Sequence, residues 1–292
     1  MRLTLVVSAL LLTVACSGGS TPTSPSPQPA PAPVPAPIAP STITVTAALT
    51  NTVSGAVIGS HVQTVNSLPA QLTVSQAGYV TRQTWVLSAE PRIDLFPEAG
   101  FDLGFYRQFL RGGMDGRSDP LRVLRQSPSI YMEVEGTKGL SAATAATLER
   151  VARRIIPELT GGRLQLLNWE TGPAPRPRQP GWIVVERQDE AGLCGKALIG
   201  ASAGQIFMGG DSTTCNAGAV FAHELGHALG LWHVDTMGSL MYRQQRSSNL
   251  ADAPTATERH HAALAYTRLP GNMDVDVDPR EPSAFQTMIV VD

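Results

Sequence analysis

Eleven consecutive residues, His223-Glu224-Leu225-Gly226-His227-Ala228-Leu229-Gly230-Leu231-Trp232-His233, limit what this chain can become more than any other stretch. If Ala217 to Leu229 is helical, His223 and His227 project from one face about one turn apart. That spacing suits two ligands of one zinc ion. Glu224 lies one residue round from His223, aimed beside the metal position. A carboxylate there can take a proton from metal-activated water, so Glu224 is the candidate general base. Gly230 falls where the helix must stop, because a residue without Cβ can enter the left-handed conformation that turns the chain. The turn returns His233 as a third ligand. Three neutral nitrogens leave the fourth position of a tetrahedral zinc open, the pattern of a catalytic site. The alternative is an amphipathic helix with core histidines, and the expense of burying His and Glu unpaired argues against it.

The pattern H-E-x-x-H-x-x-G-x-x-H followed by a methionine turn is the signature of the metzincin zinc endopeptidases, and the chain resembles that family. The matching turn is Gly238-Ser239-Leu240-Met241-Tyr242, and its spacing from His233 is most similar to the matrixin branch. Arg243 stands where matrixins usually have proline, and Val234 follows the third histidine where they usually have serine. Tyr242 directly follows the methionine, whereas the zinc-binding tyrosine of astacins and serralysins comes two residues after it. No tyrosine ligand is therefore assigned.

The resemblance implies an α+β catalytic domain with a twisted mixed sheet, a long zinc helix, a Met-turn and a C-terminal helix. It implies one catalytic zinc, a protein or peptide substrate, and a Met241 side chain that packs beneath the site without ligating. It also implies that extended peptide adds to an edge strand above the cleft, a place assigned here to Gly204-Gln205-Ile206-Phe207-Met208. An interior strand is the alternative for that segment. The stretch from Arg243 to Asn249 would line the pocket that reads the residue after the scissile bond.

The ends of the chain read differently from its middle. Residues 1 to 15 have a positively charged start at Arg2, an apolar run and a small residue at Ala15, as in a secretory signal. Leu12-Thr13-Val14-Ala15-Cys16 resembles the bacterial lipobox, which implies lipidation of Cys16 and a tether to a membrane surface without a span. Ordinary secretion, or a soluble periplasmic protein, is the alternative. Residues 16 to 41 are dominated by Pro, Ala, Ser and Thr and form an extended linker. In an exported chain the remaining pair, Cys194 and Cys215, reads as a disulfide closing the loop that leads into the zinc helix. The competing reading, a cysteine that holds the zinc latent, needs a Pro-Arg-Cys-Gly setting that Leu193-Cys194-Gly195-Lys196 lacks.

Between the ends, residues 42 to 98 carry short β-branched and aromatic runs separated by Gly, Asn, Ser and Pro, as expected of a small antiparallel sandwich. Leu68 to Val74 with Gly78 to Arg82 resembles the carboxypeptidase-regulatory type of β-module. Residues 99 to 127 form a connector, with a short helix at Phe105 to Leu110. The catalytic domain occupies 128 to 272. Within it Ile130, Met132 and Val134 suggest a half-buried strand, Ser141 caps a helix, Arg163 to Trp169 and Trp182 to Glu186 are strands, and Thr255 to Glu258 fits a capping box. His260 and His261 are adjacent and face different directions, which disfavours a second metal. Residues 273 to 292 read as a solvated tail. Its Asp274, Asp276 and Asp278 lack the glycine turn and distal glutamate of an EF-hand, so calcium is not supported.

A formal net charge of −2 and a pI near 6.3 give no electrostatic reason to expect nucleic acid, and a monomer is expected. The functional expectation is a zinc endopeptidase of extracytoplasmic proteins. The rival is a non-catalytic surface binding lipoprotein whose zinc is structural, and a third reading is a zinc hydrolase of a non-protein substrate.

Overall fold

Alternation of apolar and polar residues with period two opens the described part of the chain, where Val45, Ala47 and Leu49 of β1 (Ile43–Asn51) all point inward. The computed structural model describes residues 41–188, 194–209, 215–243, 251–285 and 289–291. The expected signal segment, Cys16, the linker up to residue 40 and positions 244–249 lie outside them. β1 pairs antiparallel with β2 (Val57–Val65) and parallel with β5 (Arg92–Leu95), while β3 (Ala70–Val74) pairs antiparallel with β4 (Arg82–Val86). The two sheets share one core of Val45, Ala47, Leu49, Leu72, Val74, Val86, Ile93 and Leu95. An all-antiparallel arrangement was expected, and the parallel β1–β5 pair corrects it. Arg92-Ile93-Asp94-Leu95 is too short and too charged to announce a strand, yet its two apolar residues complete the core.

The connector forms α1 (Leu103–Arg111). The Asp102 side chain caps its start by accepting from the Phe105 N–H at 3.0 Å. Phe105, Tyr106, Phe109 and Leu110 are buried in the larger core that also holds the catalytic segment.

That segment is built on a six-stranded sheet ordered β11-β9-β10-β8-β6-β7. The strands are β6 (Ser129–Glu133), β7 (Asn168–Gly172), β8 (Trp182–Arg187), β9 (Gly195–Leu198), β10 (Gly204–Met208) and β11 (Val290–Val291). β7, β6, β8 and β10 run parallel, and β9 and β11 alternate in direction from there. Ser141 caps α2 (Ala142–Glu158), whose Leu148, Ala152 and Ile155 are buried, and α2 packs against α3 (Ala217–Ala228). α4 (Ala256–Ala265) packs against α1.

Four expectations are corrected here. Gly204–Met208, assigned to the sheet edge, is β10, an interior strand with β8 on one side and β9 on the other. β6 is buried at every position instead of half-buried. The reason is that the proline-rich 173–180 segment folds over its second face: the Tyr131 hydroxyl donates to the Ala174 carbonyl at 2.5 Å, and the Arg176 guanidinium lies 4.3 Å from the Tyr131 ring centre. The strand sought at Arg163 to Trp169 begins only at Asn168.

The fourth correction concerns the tail, which is not solvated throughout. Asp276 and Asp278 are buried in an ion-pair cluster that spans the chain. The buried Arg268 guanidinium donates from Nε to Asp276 at 2.7 Å and from Nη1 to Asp94 at 2.5 Å. Arg82 pairs with Asp94 at 2.7 Å and with Asp278 at 2.6 Å, and Asn272 Nδ2 donates to both Asp276 and Asp278. Burial alone would raise the Asp94 pKa, but Arg268 and Arg82 outweigh it and hold that carboxyl well below the usual carboxylate range.

Candidate active site

One helix and the turn after it deliver the three histidines. Asn216 caps α3 by accepting from the Gly218 and Ala219 N–H groups, so His223 and His227 share one helical face as the four-residue spacing requires. Gly230 then takes φ +97° and packs where a Cβ would stand 2.6 Å from the Arg122 carbonyl, so the turn needs glycine both for its dihedral and for space. The reversed chain carries His233 back against the helix. Its Nε2 lies 3.2 Å from His227 Nε2, which in turn lies 3.1 Å from His223 Nε2.

These contacts are not hydrogen bonds between imidazoles. His223 Nδ1 and His227 Nδ1 each sit 2.7 Å from a carbonyl, of Leu240 and Leu231 respectively, and a carbonyl only accepts. The ring protons therefore reside on Nδ1, leaving both Nε2 atoms as bare lone pairs. Burial pushes the His223 pKa down to about 4 and that of His227 well below its ordinary value, so neither ring is charged at neutral pH. Lone pairs converging at 3.1 Å repel unless a cation lies among them. A tetrahedral zinc with Zn–N of about 2.0–2.1 Å brings its nitrogens within about 3.3 Å of one another, close to the spacing here. The residues present fit the ion, and among the described residues they form the one group of at least three His, Cys, Asp or Glu side chains placed to hold a metal. Asp115 stands 3.8 Å from His233 Nδ1, on the outer side of the third ligand.

Met241 is fully buried beneath the histidines. Gly226 of the helix passes so close that a Cβ there would collide with the Met241 sulfur. The turn is laced to the third-histidine segment by the Val234 N–H donating to the Met241 carbonyl at 2.9 Å. Glu258 secures it from the other side. Its carboxylate accepts from the Met241 N–H at 2.9 Å and the Leu240 N–H at 3.1 Å while also closing the capping box with Thr255. The capping box is legible in the sequence. The second role of Glu258 is not, because nothing local marks that the start of α4 faces the Met-turn.

Glu224 is buried, on the side of α3 that faces β9. A Cβ on Gly195 would stand 2.7 Å from Glu224 Oε1, and the Gly200 N–H donates to the His227 carbonyl at 3.0 Å, so β9 runs along the helix from Glu224 to His227. Cys194 and Cys215 are joined in a disulfide that fastens the start of β9 to the start of α3. With both sulfurs in that bond, neither is a zinc ligand. His261 does not join a second metal site: its Nδ1 donates to the Thr257 carbonyl and its Nε2 accepts from the Asp102 N–H at 3.0 Å, which ties α4 to α1.

Residues 132–256 match the family model of the matrixins. This segment is a matrixin-like catalytic domain. The matrixin match spans the zinc helix and the Met-turn and ends at the first residue of α4. It makes the chain a zinc metalloendopeptidase, a hydrolase of peptide bonds, with His223, His227 and His233 as the triad able to bind the catalytic ion. No curated protein matches the chain.

Proposed function

We propose that this matrixin domain hydrolyses peptide bonds in extended segments of extracytoplasmic proteins, with Glu224 as general base and peptide lying along β9. The observation that supports the reading is the convergence of His223, His227 and His233, with the buried Glu224 carboxylate on the same helix beside β9. When bound, a zinc ion supplies Lewis acidity, acidifying water and polarising the scissile carbonyl. Glu224 takes a proton from the attacking water, whose oxygen bonds to the carbonyl carbon. As the C–N bond breaks, Glu224 passes that proton to the leaving amine nitrogen. The disulfide between Cys194 and Cys215 supports an oxidising compartment. Among the described residues no helix is long and apolar enough to cross a membrane, and a lipid on Cys16 would provide surface attachment.

Glu224→Ala should lower cleavage of an unfolded protein substrate about 10²- to 10⁴-fold while the protein still binds one zinc per chain by metal analysis. Undiminished cleavage in that variant would remove Glu224 from the mechanism.

A further inference from the structure

The outer edge of β9 already carries a strand. β11 pairs antiparallel with β9, Val290 opposite Leu198 and Val291 opposite Ala197, and the Ile199 N–H donates to the Ile289 carbonyl at 3.0 Å. Running from residue 289 to 291, this segment travels along β9 from its His227 end toward its Glu224 end. Ile289 packs with Ile199 and with Trp232, the residue before the third histidine. Val290 is half exposed, while the backbone pairing and the Ile289 side chain hold the segment on β9. That is how an extended peptide ligand is held on a sheet edge: main-chain bonds for affinity and alternate side chains for selection.

We infer that Ile289–Val291 is an intramolecular ligand of the peptide-binding edge, which restrains the enzyme by occupying β9. The same segment identifies the substrate class as extended stretches with β-branched apolar residues on this side of the zinc. The inference rests on the reading of β9 as the substrate strand. Opening is a two-state exchange. If β11 leaves β9 uncovered a tenth of the time, the apparent affinity for substrate falls about tenfold and kcat is unchanged. A tethered segment competes at an effective concentration in the millimolar range, enough to oppose a weakly bound substrate without abolishing turnover.

The test uses the full zinc-loaded chain and two variants, one lacking residues 286–291 and one carrying Val291→Pro, which removes an N–H from the strand. Hydrogen exchange at the Ala197 and Ile199 amides and steady-state cleavage of an unfolded protein are measured on each. Both variants should expose the two amides and lower KM about tenfold at constant kcat. A capped peptide spanning residues 285–291, added to the deletion variant, should restore amide protection and compete with substrate. Exposed amides with unchanged or raised KM, or a peptide that fails to protect them, would overturn the inference. If neither variant nor parent cleaves any protein while the peptide still protects β9, the ligand assignment stands and the endopeptidase reading falls.

Discussion

Two buried polar clusters sit in this molecule, and they differ in whether they close on themselves. Around Arg268 the carboxylates of Asp94, Asp276 and Asp278 each meet a guanidinium or an amide, so acceptors find donors from within the chain. At the histidine site the Nδ1 donors of His223 and His227 are turned outward onto carbonyls, and the Nε2 atoms of His223, His227 and His233 face one another. The first arrangement is complete without a ligand, and the second needs a cation. Which groups remain unbalanced, more than how many are buried, separates a structural cluster from a binding site.

The largest expected effect sets one cluster against the other. Arg268→Met leaves buried Asp276 with no cation, only the Asn272 amide, and takes one of two guanidinium partners from Asp94, and it should destabilise the protein by about 3–5 kcal/mol in denaturant unfolding. His227→Leu should leave the zinc-free protein within about 1–2 kcal/mol of the parent while abolishing stoichiometric zinc binding, because beyond the Nδ1 hydrogen bond to the Leu231 carbonyl it removes a lone pair the fold itself does not pair. Similar stability losses for the two variants would erase the distinction.

A smaller effect is read through pH. The folded pKa of Asp94 lies below its unfolded value near 3.8, so its contribution is fully present above that value and is lost as pH falls through the lower, folded pKa. Asp94→Asn should therefore cost about 2 kcal/mol at pH 7, and the gap to the parent should narrow steadily below about pH 4. A gap of constant size down to pH 2 would show that the ion pairs are not its source. Smaller again, Glu258→Gln keeps the capping geometry but weakens two charge-assisted bonds to the Met-turn. It should lower stability by about 1–2 kcal/mol and reduce zinc affinity, measured by chelator competition, with the helix content of α4 unchanged.

The site was far more legible than its surroundings, for a physical reason. A four-residue helical repeat, a glycine forced to positive φ and a capping pair are local rules, and His223, His227, Gly230 and Thr255 obey them wherever the rest of the chain goes, while Met241 was read only through the family resemblance. Whether a strand is interior or at an edge depends on its hydrogen-bonded neighbours. The alternation in Gly204–Met208 is the same in either place, and Gly195–Leu198 is too short to stand out. Asp276 and Asp278 read as solvent-facing because their partners Arg268 and Arg82 are set by tertiary packing, Arg82 nearly two hundred positions away in sequence. Glu258 was half read: its capping box is local and its hold on Met241 is not.

The guanidinium of Arg82 bears on where the chain could be cut. Strands that precede the matrixin segment lend a cation to Asp278, which follows it, and an anion, Asp94, to Arg268. An excised fragment starting near residue 128 would keep every zinc ligand and lose that exchange of charge, leaving Arg268 one counter-ion short and Asp278 without its cation. The opening strands are thus a structural dependency of the protease, and trimming them away to obtain a minimal enzyme would remove part of what keeps its far end folded.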